Sequence, residues 1–134
     1  MSEPSGAHTL LIVDNDVGFL WWLGELFTEA GYRAVPALNP SQALAAVKKF
    51  HIQPDLLVVN PALTGVARLV TALERLDSDI KIVLIREGPL GVKYPRFRYD
   101  ATLTRPSGWE PISRTDWLRK LRTMLMQIET TPTR

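Results

Sequence analysis

The chain has 134 residues, 46% hydrophobic and 22% charged, with a formal net charge of +2. That length and mix suit one globular domain with a sizeable core. The absence of cysteine excludes disulfides, thiolate metal sites and a cysteine nucleophile, and no apolar run is long enough for a membrane-spanning helix. A cytoplasmic location is the default expectation.

Residues 1–8 lack the apolar centre of a secretory signal and are expected to be a disordered tail. Thr9–Val13 is an apolar run rich in strand formers, hence a buried first strand. Asp14-Asn15-Asp16 follows directly, and Asn15 or Asp16 can cap a helix to about Ala30. Phe19, Trp22, Leu23, Leu26 and Phe27 recur at spacings of three and four, which makes them its core face. Gly31 supplies the stop. Arg33–Ala37 is a short second strand, and Pro36 points to a sheet edge. A second helix is expected from Ser41 to Phe50, with Ala43, Leu44, Val47 and Phe50 inward.

Leu56-Leu57-Val58-Val59, between Pro54 and Pro61, reads as a strand covered on both faces and ending on Asn60. A third helix runs from Gly65 to about Leu76, with Val66, Leu69, Val70, Leu73 and Leu76 as its stripe. Ile80–Ile85 is a fourth strand. Gly88-Pro89, Gly91 and Pro95 argue against a long helix where alternation would place one. Ala101–Thr104 is a fifth strand, closed by Arg105-Pro106. A last helix starts at Ser113 or Thr115 and runs to about Ile128, with Trp117, Leu118, Leu121, Leu125 and Ile128 inward. The tail 129–134 is expected to fray. One α/β domain follows, residues 9–128, with a doubly wound five-stranded parallel sheet.

Polar groups cluster at three strand ends, where open α/β sheets place their sites: Asp14-Asn15-Asp16, Asn60 and Arg105-Pro106. The segments Leu11–Asp16, Glu29–Tyr32, Asp55–Asn60 and Leu103–Pro106, in this order and spacing, resemble the receiver domain of two-component response regulators. The resemblance covers about Thr9 to Ile128 and implies the flavodoxin-like strand order 2-1-3-4-5, with the fourth helix shortened or replaced by loop. In that family an aspartate ending the third strand accepts a phosphoryl group. An acidic pair after the first strand holds Mg²⁺. A Thr or Ser after the fourth strand and a Lys after the fifth contact the phosphoryl oxygens.

This chain departs from the pattern at nearly every part. Asn60 stands where the acceptor belongs, and Asn15 replaces one acid beside Asp14. Ile85 is assigned to the Thr/Ser position, and Arg105 replaces the Lys. Deamidation of Asn60 is disfavoured, because Pro61 has no N–H for the usual cyclisation. The expectation is a vestigial pocket of Asp14, Asn15, Asn60, Ile85, Arg105 and Pro106. It has no catalytic residue and no cofactor. Mg²⁺ binding is expected to be weak or absent, Asp14 and Asp16 being its candidate ligands. An Asp14–Arg105 salt bridge would hold one conformation. The matching Lys-Pro bond of the family implies a cis Arg105-Pro106 bond.

Two features have no family counterpart. Leu20 and Trp21, with Val17 and Gly24, lie beside the first helix's core stripe as a candidate contact for a protein partner or a second copy. Lys93, Tyr94, Arg96, Phe97, Arg98 and Tyr99 interleave basic and aromatic residues. Residues 86–122 hold nine basic and four acidic groups, against six and nine in residues 1–85. Here the expectation divides. The first reading is an atypical stand-alone receiver-like protein that signals by protein contact without phosphorylation. The second is an anion-, nucleotide- or nucleic-acid-binding module using Arg86, Arg105 and the Lys93–Tyr99 stretch. No enzyme activity is expected, since no catalytic grouping or glycine-rich phosphate loop is present.

Overall fold

The computed structural model describes residues 8–86, 97–105 and 113–130. Five strands alternate with four helices: β1 (His8–Val13), α1 (Val17–Glu29), β2 (Tyr32–Ala37), α2 (Pro40–Phe50), β3 (Leu56–Val59), α3 (Val66–Leu76), β4 (Lys81–Arg86), β5 (Ala101–Thr104) and α4 (Arg114–Thr130). The strands form one sheet in the order β2-β1-β3-β4-β5, and every pairing is parallel. All carboxyl ends therefore emerge on one edge of the sheet, as the strand-end residues require.

Alternate residues of each strand serve opposite faces, and each face has its own core. Leu10, Ile12, Val58, Val83 and Leu103 pack against α1 and α4. Leu11, Val13, Leu57, Val59, Ile82 and Leu84 pack against α2 and α3. All four residues of β3 are buried, which explains why Leu56–Val59 is a continuous apolar run rather than an alternating one. Pro36 lies in the edge strand β2, opposite Ile12, where its missing N–H faces away from the ladder.

Helix starts follow the caps. The Asp16 carboxylate accepts from Phe19 N–H at 3.1 Å. Asn39 accepts from Gln42 N–H at 2.8 Å, while Gln42 accepts from Leu38 N–H at 3.1 Å. This reciprocal cap starts α2 at Pro40, one residue before the expected Ser41. Gly31 adopts φ 98° after α1, the left-handed conformation a helix stop needs.

Several boundaries and faces differ from expectation. His8 belongs to β1 rather than to the tail, and α4 runs two residues past Ile128 to Thr130. Phe50 and Leu76 are 64% and 57% exposed; each is the last residue of its helix, where the core stripe has run off the end of the sheet. Leu20 is buried at 5%, because the apolar stripe of α1 is wide enough to include it. The segment expected to replace a fourth helix falls mostly outside the described residues. Among the described residues, no helix is long and apolar enough to cross a membrane.

Candidate functional site

The ends of β1, β3 and β5 bring Asp14, Asp16, Asn60 and Arg105 together. Among the described residues the buried polar side chains are Asp14, at 0% exposure, and Asn60, at 5%. A buried carboxylate has to be paired, and each of its oxygens is. Oδ1 of Asp14 accepts from the Asp16 N–H at 3.1 Å and faces Asn60 Nδ2 at 3.5 Å. Oδ2 accepts from Arg105 Nη2 at 2.7 Å.

Arg105 makes the second half of the bridge with its other terminal nitrogen. Nη1 donates to Oδ2 of Asp16 at 2.8 Å, while Oδ1 of Asp16 caps α1. The planar fork of a guanidinium can hold two carboxylates at once, which a single ammonium does with less geometric constraint. The guanidinium also lies 4.8 Å from the Phe19 ring centroid, a cation–π contact that helps seat a side chain left only 17% exposed. Its Nε is buried with no hydrogen-bond partner among the described residues. The helical spacing marks Phe19 only as a core residue; its role as a platform for Arg105 carries no sequence signal.

Asn60 is turned away from chemistry. Its Oδ1 accepts from its own loop, at the Ala62 N–H, 2.9 Å away, and its backbone N–H donates to Val13 at 2.9 Å. An amide in this place offers no carboxylate nucleophile. Asn15 is exposed between the two acids. Ile85 is 1% exposed and belongs to the core beside Phe19, so it lies beneath the pocket rather than lining it. The residue that ends β4 is Arg86, opposite Thr104, and its carbonyl accepts from the Arg105 N–H at 2.6 Å. Pro106, and with it the Arg105–Pro106 bond expected to be cis, lies outside the described residues.

A divalent cation does not fit this donor set. Mg²⁺ asks for several oxygen ligands in octahedral array. Here Asp14 and Asp16 are both engaged by a fixed cation, and the Asn60 oxygen serves its own loop. Binding would require Arg105 to leave both Asp14 and Asp16.

The basic and aromatic stretch is not one surface with the strand-end arginines. Lys93, Tyr94 and Arg96 lie outside the described residues. Phe97 and Tyr99 are half-buried against the α2/α3 core. Arg98 Nη1 donates to both Asp100 oxygens, at 2.9 and 2.8 Å, and Nη2 to the Ile80 carbonyl at 2.8 Å. Asp100 in turn accepts from the Ile82 N–H at 2.8 Å. These contacts lie at the amino end of β4, whereas Arg86 and Arg105 stand at the carboxyl ends. At roughly 3.3 Å per residue, a six-residue strand separates them by about 17 Å. Asp55 is likewise at the amino end, 3.4 Å from His8 Nδ1, at the far end of the sheet from Asn60. Trp21, in contrast, is 68% exposed.

No family model matches the chain. Among curated proteins it is similar to sporulation initiation phosphotransferase F of Bacillus subtilis (strain 168), 30% identical over 79 residues, or 57% of this chain and 61% of that protein. The alignment thus spans less than two thirds of that relative. Among solved structures it is similar to a CheY-like response regulator receiver domain protein of Methanospirillum hungatei JF-1, with TM-score 0.64, 18% identity and coverage of 92% of this chain and 98% of that one. A two-component response regulator of Clostridium difficile gives 0.62, 17%, 92% and 99%. NtrX of Brucella abortus gives 0.66 and 15%, with 92% of this chain on 28% of that one. The chain therefore has the CheY-like receiver fold.

Proposed function

We propose that this chain is a receiver-like module of two-component signalling that takes no phosphoryl group and acts through contact with a protein partner. The observation that supports this reading is the Arg105 guanidinium bridging Asp14 and Asp16 beside Asn60. A receiver pocket needs a nucleophilic carboxylate and a divalent cation; here an amide and an internal cation occupy those places. A fixed charge that never leaves gives the domain one state rather than two, so its surfaces are presented constantly. The likeness to a sporulation phosphotransferase favours a phosphorelay as the setting. Trp21, exposed on α1, is the residue best suited to anchor a protein contact, since interface energy concentrates in such aromatics.

Incubation with acetyl phosphate and Mg²⁺, followed by intact-mass measurement under neutral conditions, tests the reading. The expected spectrum shows the unmodified chain only. A labile phosphoryl adduct on the intact chain that digestion maps to the peptide containing Asn60 would overturn it.

A further inference from the structure

Helix α1 and the α2–α3 pair, on opposite faces of the sheet, carry surfaces of opposite character. On one face, α1 holds no basic residue. Its exposed stripe runs Val17, Trp21, Glu25, one turn apart each, so a bulky apolar ridge ends on a carboxylate. Trp21 is 68% and Val17 52% exposed. Glu25 is 64% exposed; Arg114 holds Glu29 and stands 3.9 Å from Glu25, which leaves the outer side of Glu25 open to a second cation.

On the other face, residues of α2 and α3 border an open groove of about 650 Å³. The half-buried Leu44 and the buried Leu69 form its apolar floor, the exposed Ala45 and Ala67 flank it, Lys48 and Arg68 stand in its lining, and no carboxylate lines it. Arg98, Arg105, Arg114 and Arg119 each form an ion pair; among the described residues no ion pair forms at Lys48 or Arg68. Both are exposed.

We propose that the α1 ridge of one molecule seats in the α2–α3 groove of the next, with Trp21 on the apolar floor and Glu25 facing Lys48 and Arg68. The occupant is a second copy, because the chain itself carries the complementary shape and charge. Ridge and groove lie on opposite faces of the sheet, so a two-fold dimer cannot satisfy both at once. The contact is head-to-tail and builds short chains or a closed ring. It rests on the protein-contact part of the proposed function and does not depend on the chemistry of the Asp14–Arg105 pocket.

Sedimentation velocity of the full chain across a concentration series, at low and high salt, tests this. The wild type is expected to grow with concentration, and less so at high salt. Trp21→Glu breaks the ridge and keeps the groove; the double variant Lys48→Glu/Arg68→Glu does the reverse. All three positions are solvent-exposed, so folding should survive, and circular dichroism verifies it. Each variant alone is expected to be monomeric. An equal mixture of the two restores one intact ridge and one intact groove, and should give a dimer and nothing larger. A wild type monomeric at every concentration overturns the contact, as does a mixture that stays monomeric while the wild type assembles. Either result leaves the reading of the pocket standing, since acetyl phosphate labelling tests that separately.

Discussion

Arg105, at the end of β5, places Nη2 2.7 Å from Oδ2 of Asp14, a carboxylate with no exposed surface at the end of β1. Ninety-one residues apart in sequence, the two are joined across the top of the sheet because β1 and β5 point the same way. Removing one member of a buried ion pair typically costs about 3–5 kcal/mol, since the other charge is left uncompensated. Arg105 is still 17% exposed, so water reaches the vacated site and the lower end applies. Arg105→Ala is expected to lower unfolding free energy by about 3 kcal/mol, read as a shift in the urea midpoint. Asp14→Asn/Arg105→Ala should lose less than the single change, as the stranded charge is then gone.

Asn60→Asp alone should not restore phosphorylation. The new carboxylate would face Asp14 at close range, while Arg105 still holds Asp14 and Asp16. The combined variant Asn15→Asp/Asn60→Asp/Arg105→Lys frees the acidic pair and supplies a nucleophile. Mg²⁺-dependent labelling by acetyl phosphate is expected there and not in Asn60→Asp, with both read by intact mass.

Asp100 is a structural staple at the other end of the sheet. It accepts from Ile82 N–H and holds Arg98, which reaches the Ile80 carbonyl. Asp100→Ala removes a charged acceptor from a partly buried backbone donor and should cost about 1–3 kcal/mol. Denaturant unfolding measures it. The pocket should be unaffected, so the Arg105 environment by NMR should not change.

Asn39→Ala removes the side-chain cap of α2 and should cost about 1 kcal/mol. Asn39→Gly should cost only a few tenths. Thermal unfolding separates the two, and an Asn39→Ala variant as stable as the wild type would show that the cap bond is not what stabilises this helix start.

Most of the architecture was legible because period and punctuation agree. The unbroken apolar run Leu56–Val59 announced a strand covered twice, and Gly31 and Pro36 marked a stop and an edge. The pocket was legible as three polar strand ends, including the Asp14–Arg105 pair. What the sequence hid was side-chain direction. Leu20 and Trp21 are adjacent apolar residues, yet one is buried and the other exposed, because a 100° step around the helix carries the second past the edge of the sheet. Arg98 reads as part of a basic stretch with Arg105, but β5 runs between them and puts them at opposite ends. Ile85 and Arg86 differ by one position; β4 is covered on both faces through Ile85, and Arg86 escapes the core because it ends the strand.

On the proposed function, a fixed internal cation has replaced the divalent metal and phosphoryl group of a receiver pocket. A high-resolution crystal structure grown with Mg²⁺ and beryllium fluoride, a phosphoryl mimic, tests it most directly. Arg105 is expected still to bridge Asp14 and Asp16, with neither metal nor fluoride complex beside Asn60. A metal ion on Asp14 with Arg105 swung out of the pocket would contradict it.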